Sequence, residues 1–259
     1  MDSGIYQHFR KDEAPFIDRM TELINTALTE YRPILTEFLD PRQIYIVNAL
    51  MHSDEVSIHQ FGGYPAAEKQ RLIIAPDYFE PQTSDFNMTP ILIKYPEKFA
   101  ELKHGTILGT LVNQGIDRDV FGDIITDGTV WQFFVDTKIL DFVLAQIDHI
   151  GRIKVRLEAI DFPNIIQPVV EWVAESLTVA SYRLDTLVSD VFKVSRQRAK
   201  QIIEANQVKV NWQIVQKPDF EVRSLDMISV RHFGRVQILE NQGETRKGKI
   251  RLETRTLRK

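Results

Sequence analysis

The sequence predicts an α+β chain in three successive parts: a small mixed N-terminal domain, a middle domain alternating strands and helices, and a small basic C-terminal domain. Three observations carry this reading. Apolar residues recur at helical spacing near the N-terminus, strand and helix signals alternate from about residue 85 to 160, and charge is split along the chain. Residues 183–259 carry 17 Lys and Arg against 9 Asp and Glu, which leaves 15 against 27 upstream. The formal net charge of -4 therefore hides a basic end and an acidic body. Such an end attracts phosphate chains through counterion release, while the body discourages indiscriminate contact.

Composition narrows the function classes. The 259 residues, 43% hydrophobic, suffice for one large core or two to three small ones. No window approaches the roughly 18 consecutive apolar residues of a membrane helix, and Met1-Asp2-Ser3 does not open a signal peptide, so a cytoplasmic protein without membrane insertion is expected. The chain has no cysteine, which excludes disulfides, thiolate metal sites and thiol nucleophiles. Its six histidines, His52 and His59 among them, show no metal-ligand spacing, and no cofactor is expected.

In the first domain, residues 1–80, Phe16, Met20, Leu23, Ile24, Ala27, Leu28, Tyr31, Leu35 and Phe38 recur at intervals of three and four, predicting a helix over 12–38 that Pro33 must break or kink. Asp40 can cap a second helix with Pro41 in its first turn, running to about His52. Strands are expected at Val56–Phe61 and near Leu72–Ala75, with a tight turn at Gly62-Gly63-Tyr64-Pro65.

The second domain, residues 85–160, reads as strand, helix, strand, strand, helix, strand. Ile91–Tyr95 is the first strand and His104–Val112 lies in the first helix. The dipeptide Asp127-Gly128 signals a two-residue hairpin between strands 123–126 and 129–135. A helix over 139–150 ends at Gly151, and 153–157 alternates as a strand. This order is that of the ferredoxin-like sandwich shared with RRM-like domains. No pair of aromatic RNA-binding strands is evident, and Trp131, Phe133 and Phe134 read as core. Residues 161–182, interrupted by Pro163 and Pro168, read as a linker.

The third domain, residues 183–240, begins with Arg183-Leu184-Asp185 and an apolar helical face of Leu187, Val188 and Val191. Ser195 stands where an N-cap belongs, ahead of a helix through Ala199, Ile202 and Ile203. Arg196 and Lys200, four apart, share one face of that helix and can reach neighbouring phosphates together, while Arg198 points elsewhere. A strand Val208-Lys209-Val210 follows, with Asn211 and Trp212 at a turn. The tail, 241–259, is basic, and its alternation around Ile250 and Leu252 fits either an extra strand or an arm ordered by RNA.

Over 183–232 the landmarks Arg183-Leu184-Asp185, Ser195-Arg196, Ala199-Lys200, Ile203, Val208-Lys209-Val210-Asn211, Pro218 and Asp226-Met227-Ile228 closely resemble the S-four RNA-binding domain. Asn206, Trp212 and Leu225 stand where that family usually has glycine, which implies altered turns within the same fold. The resemblance carries RNA contact to Arg183, Ser195, Arg196, Gln197, Lys200, Lys209 and Asn211, with Lys217 beside them. Trp212 either stacks on a base or covers the sheet edge. Upstream, Phe61-Gly62-Gly63-Tyr64-Pro65, Leu108-Gly109, Gly115-Ile116, Arg118 and Gly122-Asp123-Ile124, followed by this terminal domain, make the whole chain look like the bacterial YlmH family. That resemblance implies a non-enzymatic factor of ribosome-associated quality control, binding the large subunit through ribosomal RNA or tRNA to rescue stalled, peptidyl-tRNA-blocked particles, from a gene neighbourhood tied to cell division.

S-four domains also accompany enzymes. Asp148-His149-Ile150-Gly151 is half of a tRNA synthetase signature without its second half, and Gly105 to Gly109 do not form a methyl-donor or dinucleotide loop. Asp117, Arg118, Asp119 and Asp123 read as a solvated loop. No catalytic residue is expected. An alternative makes the chain a division-associated adaptor whose acidic regions bind protein while the basic end localises it.

Overall fold

The computed structural model describes residues 9, 13–51, 53, 55–169, 172–224 and 226–258, arranged in two units, Met1–Val169 and Val170–Lys259.

In the first unit, helix α1 spans Ala14–Glu30 and buries Ile17, Met20, Ile24 and Ala27, the expected stripe. It stops earlier than periodicity alone predicts. Tyr31 turns left-handed at φ 50, and Leu35 and Phe38 belong to strand β1, Ile34–Leu39. Pro33 drives this correction: its ring disfavours helical backbone at Arg32 and starts an extended segment. Helix α2, Pro41–Leu50, carries the anticipated cap: Gln43 N donates to Asp40 Oδ1 at 2.9 Å and Asp40 N to Gln43 Oε1 at 2.8 Å. His52 lies outside the described residues. Strands β2, Val56–Phe61, and β3, Gln70–Pro76, complete an antiparallel sheet of order β1-β3-β2.

The rest of this unit builds a four-stranded antiparallel sheet from β4 (Met88–Lys94), β5 (Phe121–Thr126), β6 (Trp131–Asp136) and β9 (Arg156–Ala159). Helix α3, His104–Asn113, follows β4, and α4, Leu140–Gln146, follows β6. The spatial order β5-β6-β4-β9 is the ferredoxin-like order. Two local expectations are corrected. Thr126 pairs with Trp131, so the hairpin loop has four residues, closed by Asp127 Oδ1 accepting from Thr129 N and Val130 N. Helix α4 ends at Gln146, while β7 (His149–Ile150) and β8 (Ile153–Lys154) form a small hairpin. Gly151, at φ 61, serves that turn and not a helix end, since left-handed backbone suits both.

Alternation along the strands gives this sheet two buried faces. Ile91, Ile93, Phe133, Val135 and Leu157 pack with Ile107 and Leu111 of α3 and Val143 of α4. Met88, Ile125 and Phe134 pack with Phe38, Ile73 and Ala75 of the three-stranded sheet, with Phe162, Ile165 and Ile166 against the same cluster. The two glycine motifs pin this junction. Asp123 accepts from Tyr64 Oη at 2.8 Å, Glu68 N at 2.7 Å and Lys69 N at 3.1 Å. A Cβ on Gly63, at φ 97, would come within 2.2 Å of Phe134. Arg71 adds an ion pair with Asp136 at 3.1 Å and donates to the carbonyls of Thr36 and Asn87.

The second unit is a six-stranded antiparallel sheet of order β10-β15-β14-β13-β11-β12, with two helices on one face. Its strands are β10 (Val173–Val179), β11 (Val208–Val210), β12 (Gln213–Ile214), β13 (Met227–Val230), β14 (Gly234–Glu244) and β15 (Ile250–Arg258). Helices α5 (Leu184–Phe192) and α6 (Arg196–Glu204) bury Leu184, Leu187, Val188, Val191, Ala199, Ile202 and Ile203 against Val208, Val236, Ile238 and Leu252. Strand β10 falls inside the stretch read as a linker, and it pairs with β15 from Val173↔Thr256 to Val179↔Ile250. The basic tail is likewise a sheet strand. Buried Leu252, Thr254 and Thr256 on β15 explain why: each second residue faces the core.

Candidate RNA interface

The site grows from one buried charge. Asp185, fully buried near the start of α5, accepts from Arg183 Nε at 3.1 Å and Nη2 at 3.0 Å. It also accepts from Arg196 Nε at 3.3 Å and Nη2 at 3.4 Å, from the first turn of α6. Burial pushes the Asp185 carboxyl up, but the hydrogen bonds and charges of Arg183 and Arg196 outweigh it and hold the group below its ordinary range. Two guanidiniums on one carboxylate leave a positive charge in excess. Both remain open to solvent, with side chains 38% and 55% exposed. The carboxylate thus orients two arginines whose remaining N–H groups are available to an anion.

Neighbouring backbone brings more charge to this place. Leu184 N donates to Phe220 O at 2.8 Å and Asp185 N to Pro218 O at 2.9 Å, which anchors the loop carrying exposed Lys217 at the head of α5. Lys200 lies exposed on the same side of α6 as Arg196, and exposed Gln197, three residues before Lys200, stands beside it. Ser195 Oγ accepts from Arg198 N at 3.1 Å and caps α6, as its position predicts.

Asn211 and Trp212 form the two-residue turn between β11 and β12, closed by the Val210↔Gln213 pair. Both are left-handed, at φ 47 and φ 64, the geometry of a primed hairpin turn that favours Asn-Gly. Asn211 is tied down: its Nδ2 donates to Asp226 Oδ1 at 2.7 Å and its Oδ1 accepts from Met227 N at 2.9 Å. Trp212, where glycine is usual, bears about 1–2 kcal/mol of backbone strain and remains half-exposed. Asn206 is also left-handed, at φ 61, while Leu225 lies outside the described residues.

The expected residues do not form one cluster. Arg183, Arg196, Gln197, Lys200 and Lys217 share the helical side, whereas Lys209 projects from the opposite face of the sheet, since Val208 and Val210 point into the core. Asp185 was not among the sequence-derived site residues. Its signal was present: a carboxylate set among Leu184, Leu187 and Val188 on the apolar face of the helix must find cations. The middle domain offers no aromatic platform on its sheet, because Phe133 and Phe134 are buried and Trp131 is partly buried against the helical side.

The comparisons with known proteins agree with this layout. Residues 183–228 match the family model of the S4 domain, the S-four domain above. Residues 12–79 match the YlmH N-terminal model, and 81–164 match the one described as the candidate RNA-binding domain in YlmH. Ribosome-associated protein quality control protein P2 of Bacillus subtilis (strain 168) is 39% identical over 250 residues, 96% of this chain and 97% of that protein.

The chain belongs to the YlmH family.

A solved YlmH structure, cell division protein ylmH from Streptococcus pneumoniae, is 36% identical with a TM-score of 0.54, covering 62% of this chain and 99% of that one. In this YlmH-family chain, β10, β14 and β15 lie outside the span matched to the S4 domain and continue the same sheet. Among the described residues, no helix is long and apolar enough to cross a membrane.

Proposed function

We propose that this protein is a non-enzymatic, cytoplasmic RNA-binding factor that engages the large ribosomal subunit, through ribosomal RNA or peptidyl-tRNA, in the rescue of stalled ribosomes. The observation that carries the reading is the Asp185-centred pair of arginines with Lys200 and Lys217 around it, in an S4 domain. The name of the Bacillus subtilis relative supports the ribosomal setting. In this mechanism Arg183, Arg196, Lys200 and Lys217 neutralise phosphates at a structured junction, and Trp212 stacks on an unpaired base at the hairpin tip. No bond is made or broken; shape and charge choose the site.

Sedimentation with ribosomal subunits from a lysate tests it. Wild-type protein should travel with the large subunit at low salt and leave it as salt rises, and the Arg196→Ala, Lys200→Ala variant should be lost from that fraction throughout. A wild-type protein that remains at the top of the gradient at low salt contradicts the proposal. The name of the Streptococcus pneumoniae protein, a cell division protein, keeps a division adaptor as second reading. An adaptor would keep its protein partner in that variant.

A further inference from the structure

The helices cover one face of the C-terminal sheet; the register shows what the other carries. Lys209 lies opposite Ser229, Ser229 opposite Arg235, and one pleat further Gln237 lies opposite Arg255, itself opposite Ala174. The same parity places Arg251, Glu253 and Thr178 on this face. Four cations thus share it with one acid on β15, Glu253, which accepts from Gln242 Nε2 at 3.1 Å. One of the four is pre-set for an anion. The Arg255 guanidinium lies 4.8 Å over the Trp172 ring and its Nε donates to Gln237 Oε1 at 2.6 Å. Its terminal nitrogens are left to a ligand. Arg251 and Lys209 are exposed, as are Ser176 and Thr178.

We infer that this open sheet face is a second RNA-binding surface, which takes the phosphate backbone of a structured RNA strand beside the one held on the helical side. The inference rests on the proposed RNA-binding function. Lys209 and Arg235, two strands apart, stand about 10 Å from each other, and Arg255 lies diagonally next to Arg235, so adjacent phosphates of one strand can each meet a cation. Hydroxyls and arginines are the groups that contact phosphate and sugar. A protein partner fits this face less well, because its apolar groups form no exposed centre: Met227 is buried, Leu257 is partly buried, and exposed Ile214, opposite Lys209, lies on the edge strand β12. The face also accounts for Lys209, which projects away from the helical cluster.

The test compares the full-length wild type with Arg251→Gln, Arg255→Gln, using fluorescence anisotropy on two probes, purified large-subunit ribosomal RNA and bulk tRNA, across a salt series. An Arg19→Gln, Arg32→Gln variant controls for net charge. Loss of two phosphate contacts should lower the magnitude of the log-log salt slope by about 2 and weaken binding roughly tenfold at moderate salt, with the control unchanged. The probe that shows the change identifies the RNA. Exposed Arg251→Gln alone leaves the stacked pair intact and should lower the slope by about 1, so a fold defect at Arg255 cannot mimic the result. If both variants bind like wild type while Arg196→Gln, Lys200→Gln loses affinity, the second surface is refuted and the RNA-binding function stands. A wild type that binds neither probe overturns both.

Discussion

Replacing Arg183 and Arg196 by methionine, singly and together, tests whether one buried carboxylate organises the interface. Arg183 gives Asp185 its two shorter hydrogen bonds, 3.1 and 3.0 Å, so Arg183→Met should destabilise the C-terminal unit more than Arg196→Met does. Arg196 holds the same group at 3.3 and 3.4 Å, beyond the usual range, and Arg196→Met should cost about 0.5–1 kcal/mol. Each single variant leaves the other arginine in place. The double variant leaves a fully buried carboxylate without a cation and should cost about 3–5 kcal/mol, more than the sum. Adding Asp185→Leu to it should restore most of the loss, because the uncompensated charge is gone. Native-state hydrogen exchange of α5 and α6 amides reports this unit separately from the other. Losses that add within about 0.5 kcal/mol, or no recovery in the triple variant, would refute the hub.

The same hub sets a pH dependence. The Asp185 carboxyl is depressed in the folded chain, so the stability it contributes is full above the ordinary value of about 3.9 and is lost as pH falls through the lower folded value. The stability gap between the wild type and the double methionine variant, read from urea unfolding by circular dichroism, should therefore narrow as pH falls below about 4, because the wild type loses its ion pairs while protonation relieves the variant's uncompensated carboxylate. Gly63→Ala should destabilise the first unit by more than about 2 kcal/mol in urea unfolding, since its Cβ would lie 2.2 Å from Phe134 and φ is 97. Trp212→Gly relieves left-handed strain, so stability should change by less than about 1 kcal/mol while affinity for ribosomal RNA falls by about 1–3 kcal/mol; unchanged affinity would assign the ring to the sheet edge.

Where one local rule dominates, the fold can be read from sequence. The Asp40-Pro41 start of α2, the β2 strand and the Ser195 cap each follow from a few adjacent residues, and each stands where expected. The order of the middle sheet followed from its alternation of strands and helices. What escaped was long-range. Leu35 and Phe38 continued a helical spacing by coincidence, and only the pairing of β1 with β3 made them strand residues. Val173–Val179 looked like linker because its partner, β15, lies more than 70 residues away. The Gly62-Gly63 and Gly122-Asp123 motifs read alone as turns, yet Asp123 holds the chain around Tyr64 to Lys69 across the junction of two sheets. At the site, residue types and helical spacing located Arg196 and Lys200 on one face. The division of Arg196 from Lys209 needed the sheet, because strand parity alone sends Lys209 to the other side.

The most direct test of the central claim is ultraviolet crosslinking of the full-length protein to ribosomes in growing cells, followed by mass mapping of the nucleotide-bearing peptides. Adducts should fall on peptides spanning 183–217, around Arg196, Lys200, Trp212 and Lys217, and the crosslinked RNA should come from the large subunit or tRNA. Adducts confined to residues 13–169, or no ribosomal or transfer RNA among the crosslinked species, would contradict the account.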